Sequence, residues 1–200
     1  MPNDSASGGF LTAENAGPPE DAAFDAILQS LVVGITGLGL AYVRPRWTAP
    51  TVSPAPTDPM TNWCAIGVVD DAPASNYFER HDGSADGGTG SSTTQIQSVV
   101  TIMASFYGGS ARSTAKLFRD GLMVPQNREM LFPYGIVLPD MPDTARFVPE
   151  IINLQTRPRV DVTFRLRVPS VRVWPIRNII TVQGTILADD GENVPFTAQD

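Results

Sequence analysis

The only histidine of the chain, His81, stands in FERHDG beside Glu79 and Asp82, a mixture of side chains that suits metal ligation or proton transfer. A metal needs three or four convergent ligands, and acid–base work needs a histidine oriented by a partner beside a substrate pocket. Neighbours on a strand point to opposite sides, so the spacing predicts an exposed hairpin histidine. Residues 83–92, GSADGGTGSS, carry enough glycine to cradle a phosphate. They lack the Gly-Lys-Ser/Thr ending of a P-loop and the G-x-G-x-x-G spacing of a dinucleotide fold, and the strand follows the loop instead of leading into it. A flexible hairpin tip is the plainer reading. Cys64 sits in an apolar run, where a thiol acts as a small buried hydrophobe. Ser110 follows Gly108 and Gly109 at a strand-to-helix corner, but the G-x-S-x-G of a nucleophile elbow is absent; an N-cap role is enough. No residue is assigned a catalytic, cofactor-binding or metal-ligating role. A small enzyme or module that binds an anionic ligand through the Gly-rich loop and His81 is the alternative class.

Six of the 13 arginines, at 157, 159, 165, 167, 172 and 177, fall within 21 residues, opposed there only by Asp161. Nucleic-acid binding would want a basic excess over the whole chain and interleaved aromatic platforms, and neither is present. A solvated sheet face and a subunit contact stand equally ahead of nucleic acid, the subunit contact with Arg159, Arg165, Arg167 and Arg172 meeting acids of a neighbour.

The elements that must position these groups centre on residues 93–122. Ile96, Val100, Ile102, Ala104 and Phe106 alternate with Gln95, Gln97, Thr101, Ser105 and Tyr107, which predicts a half-buried strand. After the Gly-Gly-Ser corner, Ala111, Ala115, Phe118 and Leu122 recur at helical spacing. Upstream, acids at Glu20, Asp21 and Asp25 open a helix whose apolar side is Phe24, Ile27, Leu28, Leu31, Val32 and Ile35, ended by Gly34, Gly37 and Gly39. Residues 26–43 carry no charge, but their Gly, Gln, Ser and Thr favour a buried helix and a short strand over a membrane span. Pro45 confines the strand at 40–47 to an edge. Residues 48–60 read as a stiff Pro-rich loop, 62–69 as an interior strand, and 77–81 as a short strand. Residues 125–132 read as a helical turn, 146–154 as a strand, and 159–168 as the clearest alternation in the chain. A bulge or break at Pro169 accounts for the parity change to Val171 and Val173. A last strand runs over 179–187.

The 200 residues suffice for one good core, which predicts a single α+β domain at 20–187, between a flexible or partner-ordered arm at 1–19 and an acidic tail at 188–200. Eight of the 21 acids lie in the first 21 or last 12 residues, which hold no base, so the net charge of -7 belongs to the ends and the body is near neutral. One cysteine excludes an internal disulfide framework and fits a reducing compartment. The acidic N-terminus lacks the basic start of a secretory signal.

In order, an opening helix, AYVRPRW, NWCAIGVV, TQIQSVVTIMASFYGGSA entering a helix, a PYG segment and RPRVDVTFRLRV make a pattern similar to the neck or tail-terminator family of tailed bacteriophages, over roughly residues 22–187. The resemblance implies a compact α+β subunit, helices against one face of a mixed or mostly antiparallel sheet. It implies a structural virion protein assembled in the host cytoplasm, with no cofactor and no membrane partner. Its copies would form a ring, a hexamer, at the neck/tail junction that caps the tail tube and joins it to the head connector. Partners would be neck or connector proteins and tail tube or sheath proteins, with DNA passing the lumen without sequence-specific binding.

Overall fold

A computed structural model describes residues 3–47, 55–152, 154–179, 181–187 and 193–199. It is an α+β fold whose main sheet is mixed, with α1 (Asp21–Thr36) and α3 (Ala111–Leu122) packed on one face. Ten strands, β1 (Val43–Pro45), β2 (Trp63–Pro73), β3 (Phe78–Asp82), β4 (Ser91–Tyr107), β5 (Arg146–Phe147), β6 (Glu150–Ile152), β7 (Gln155–Arg157), β8 (Arg159–Trp174), β9 (Thr181–Leu187) and β10 (Asn193–Gln199), are described together with α1 (Asp21–Thr36), α2 (Ala85–Gly88) and α3 (Ala111–Leu122). The main sheet has the order β1-β2-β4-β8-β5, with β3 also paired to β4. β1 runs parallel to β2, whereas β2 with β4, β3 with β4, and β5 with β8 are antiparallel.

The chain divides into two compact units, one of residues 18–76 and 96–170, the other of 1–17, 77–95 and 171–200. Length alone predicts one domain at 20–187. Strands β4 and β8, of 17 and 16 residues, contribute backbone to both units.

In the larger unit, α1 buries Phe24, Ile27, Leu28, Leu31 and Val32, five of the six residues its spacing singles out. Gly37, in the left-handed region at φ 73°, ends the helix by donating its N–H to the Val33 carbonyl. No described helix is long and apolar enough to cross a membrane. Helix α3 buries the four predicted positions, Ala111, Ala115, Phe118 and Leu122. Phe118 joins the two layers: its ring lies 5.4 Å from Phe106 of β4 and 5.7 Å from Phe164 of β8. Burying such a side chain contributes roughly 1.5–3 kcal/mol. The corner before α3 needs glycine at 108, because φ is 98° and a Cβ there would lie 2.6 Å from the Asn62 Oδ1. Ser110 holds the N-cap position without capping through its side chain; its backbone N–H instead donates to Asn62 Oδ1 at 2.8 Å.

Several elements differ from expectation for local reasons. Strand β2 continues past the apolar run through Asp70 and Asp71 to Pro73, with a register shift between Val68 and Asp70 that leaves Val69 out of the pairing. The strand expected over 146–154 is two pieces, β5 and β6, interrupted at Val148 and Pro149; the proline has no N–H to donate to a ladder. β8 passes Pro169 and Ser170 without a break. The helical turn at 125–132 is a 3-10 helix, Pro125–Tyr134, closed by Gly135 at φ 67°. Residues 48–54 of the Pro-rich loop lie outside the described residues.

In the smaller unit, β3 and the start of β4 form the predicted hairpin. The N-terminal segment bonds to the end of β8: Ser5 N–H donates to the Pro175 carbonyl and Glu14 N–H to that of Val173. Asn15 donates to the Val171 carbonyl and accepts from Val173 N–H. Within the segment assigned by sequence to an acidic tail, Asn193–Gln199 is β10, paired antiparallel with β9. The acids of that segment lie before the strand or at its end, and 193–199 itself alternates Val194, Phe196 and Ala198 with polar residues and Pro195.

Candidate functional site

Alternation along a strand sends every second side chain to the sheet face away from the helices, and in the larger unit that face carries cations and aromatic rings. On β2, Cys64 and Ile66 enter the helix-side core, while Trp63 and Ala65 form a separate buried cluster with Tyr107 of β4. Trp63 and Tyr107 are cross-strand partners whose rings stack at 4.1 Å with an interplanar angle of 6°. Arg44 of β1 places its guanidinium 5.6 Å from the Trp63 ring, and Arg159 of β8 lies 5.7 Å from Tyr107. β1, β2, β4 and β8 are successive in the sheet, so Arg44, Trp63, Tyr107 and Arg159 make a row across four strands. Each cation–π contact contributes about 0.5–2 kcal/mol, more where water is excluded.

The charges of this row are balanced at one end. Arg159 donates from Nε and Nη2 to Asp161 Oδ1 and Oδ2 at 2.7 and 2.8 Å, and from Nη1 to Glu150 Oε1 at 2.5 Å. Burial works against its charge, yet the Asp161, Tyr107 and Glu150 interactions outweigh it and hold the guanidinium well above its ordinary pKa. Tyr107 moves the same way chiefly because burial disfavours its phenolate. Toward β1, Arg46 donates to the buried Ser105 hydroxyl. Arg157 of β7, also buried, donates to the Pro56 carbonyl at 2.8 Å. Arg44 Nη1, Arg46 Nε and Arg157 Nε are buried without a hydrogen-bond partner among the described residues.

Of the four arginines that sequence proposes for a subunit contact, Arg159, Arg165 and Arg167 share one face of β8 in the larger unit. They differ in availability. Arg159 is occupied by two carboxylates, Arg165 is half exposed and pairs with exposed Asp140 at 3.1 Å, and Arg167 is exposed. Arg172 belongs to the smaller unit and is partly buried. Arg44, Arg46, Trp63 and Tyr107 were not singled out by sequence as a group. Their available signal was the Arg-Pro-Arg alternation of AYVRPRW, which puts both arginines on one side of an extended chain.

His81 and the Gly-rich loop, on which the alternative ligand-binding reading depends, lie in the smaller unit. His81 is exposed, and its Nδ1 lies 3.0 Å from Ser92 Oγ while its Nε2 lies 2.7 Å from Asn178 Oδ1. The Ser-His-Asn order is that of a nucleophile, base and orienter, but Ser92 is 1 % exposed and out of reach of a substrate. The loop presents carbonyls: Asn178 donates to those of Gly83 and Gly88 at 2.8 Å each, and Arg177 donates to Gly90 O at 3.2 Å. Anion binding needs converging N–H groups, so this arrangement clamps the loop and offers a phosphate no cradle. Cys64 is fully buried, and burial pushes its thiol far up from the ordinary value, away from nucleophilic use. Among the described residues no three His, Cys, Asp or Glu side chains could hold a metal ion.

The sheet face away from the helices thus carries a ring stack, cation–π contacts and an ion-paired arginine. A family model described as phage neck terminator protein matches residues 22–190. A comparison with curated proteins gave no match.

Proposed function

The chain belongs to the phage neck terminator protein family, and we propose that its copies close into a ring, a hexamer, where neck meets tail. Membership makes it a structural component of the virion neck. In our reading the ring caps the tail tube and joins it to the head connector, with DNA passing through a lumen that does not bind it by sequence.

One observation carries this reading: apolar side chains that a solitary subunit would hide stand exposed in the larger unit, among them Leu154, Ile151, Trp47, Met141, Leu40 and Phe147, each more than 60 % exposed. Apolar exposure on this scale marks a surface that another protein covers. Arg165, Arg167 and Arg172 serve as the charged part of the subunit contact, meeting acids of a neighbour, while Arg159 stabilises the face from within. The 20–187 region is the assembling body in this reading, and the ends assist in joining neighbours.

The test is the native mass and negative-stain appearance of the purified protein, alone and mixed with tail tubes. A ring of fixed stoichiometry that caps tubes is the expected result. A protein that stays monomeric at every concentration and never joins a particle would overturn the proposal.

A further inference from the structure

A cleft of about 590 Å³ opens in the larger unit where α1 begins. Its apolar lining includes Phe24, Trp47, Val68, Val100 and Val168, and Asp21, Asp25 and Asp71 stand beside them with no base among the described lining residues. Desolvation of a half-open apolar floor favours an apolar guest, and the carboxylates favour one with cations beside it. The same unit carries such a guest on its surface. The β6–β7 hairpin ends in Leu154, 98 % exposed, with Ile151 on the neighbouring strand at 77 %. Leu154 sits at φ 62°, a left-handed turn position that asparagine or glycine normally fills and that costs a leucine about 1–2 kcal/mol. A costly conformation that displays an apolar side chain to water points to a partner for it. Just before the hairpin, exposed Arg146 and Arg112 accompany Phe147, whose ring lies 5.6 Å from the Arg112 guanidinium.

We propose that Ile151 and Leu154 of the β6–β7 hairpin of one copy seat in the acid-rimmed cleft of the next copy, with Arg112 and Arg146 facing its aspartates. The inference rests on the ring reading above and names the contact that builds it. Tip and cleft are different patches of one chain, so their union is head-to-tail, and head-to-tail contacts generate a ring when the rotation closes.

The test uses Leu154→Cys and Ser98→Cys, the second in the cleft lining. Buried Cys64 does not compete. Mixing the two single variants under mild oxidant should give a disulfide-linked dimer, and the double variant a ladder of linked multimers. Leu154→Cys mixed with Ser113→Cys, exposed on α3, should give none. Separately, Leu154→Asp should keep the wild-type urea midpoint while raising the concentration needed for assembly at least tenfold. Protein that assembles by mass but forms no 154–98 link, or a Leu154→Asp variant that assembles like wild type, refutes tip-in-cleft docking and leaves the ring standing. A wild-type chain that is monomeric both alone and with tail tubes removes the ring reading and this contact together.

Discussion

Arg159 and Arg165 differ in role although they lie only six positions apart on one strand face, and replacing each by methionine should separate the roles. Arg159→Met keeps the length of the side chain and removes its charge, leaving Asp161 at 10 % and Glu150 at 30 % side-chain exposure without their cation. Removing one partner of a buried pair costs about 3–5 kcal/mol, and the partly wet Glu150 places this case near 3. Loss of the contact with Tyr107 adds about 0.5–1 kcal/mol. Arg165 and Asp140 are both more than half exposed, so Arg165→Met should cost less than about 0.5 kcal/mol. Urea unfolding at low protein concentration reads the difference: with m near about 2 kcal/mol/M, Arg159→Met should lower the midpoint by about 1.5–2 M and Arg165→Met by no more than about 0.25 M. Adding Asp161→Leu and Glu150→Gln to Arg159→Met should recover much of the loss, because an apolar replacement of a whole buried ionic group is often near neutral. Assembly should respond the other way, with Arg165→Met impaired at unchanged stability. An Arg159→Met midpoint within about 0.25 M of wild type would refute the assignment of Arg159 to the interior.

Phe118→Ala, at the meeting of three aromatic rings, should cost about 3–5 kcal/mol, read as a lower urea midpoint at unchanged m. Gly108→Ala should lower stability by more than about 1 kcal/mol, since the new methyl meets both strain at positive φ and the Thr61 backbone with the Asn62 side chain; differential scanning calorimetry checks it. Burial, with Asp21 beside it, holds the Asp25 carboxyl above its ordinary 3.8. The folded state therefore binds more protons than the unfolded one between those two values, and stability falls as pH rises through that window. Asp25→Asn should raise the urea midpoint at pH 7, and the gain should vanish in acid below the unfolded value. Cys64 should ignore a thiol reagent in the native protein and react only at the rate of unfolding.

What sequence reveals here is what period and punctuation encode. The four apolar positions of α3, the inner face of β4, the interior place of β2 and the edge place of β1 follow from spacing and from Pro45, and each is a property of a single segment. The row of Arg44, Trp63, Tyr107 and Arg159 is a property of four segments in register. Trp63 opens an apolar run and reads as ordinary core until its pairing with Tyr107 puts it on the other face. The β6–β7 hairpin escapes notice because Leu154 holds its left-handed turn position where a glycine would announce it. β10 is obscured by the acids at 189–192, which make the whole C-terminal stretch look solvated.

The row across β1, β2, β4 and β8 also works as an alignment mark during folding. A one-residue slip of β2 would send Trp63 and Ala65 into the space shaped for Cys64 and Ile66, and would strand Arg44 and Tyr107 without their ring partner. Misaligned sheets are thus penalised twice, once by volume on the helix side and once by orphaned charge on the other. In the proposed ring, where each copy must present the same outline to the next, such proofreading would keep the copies interchangeable.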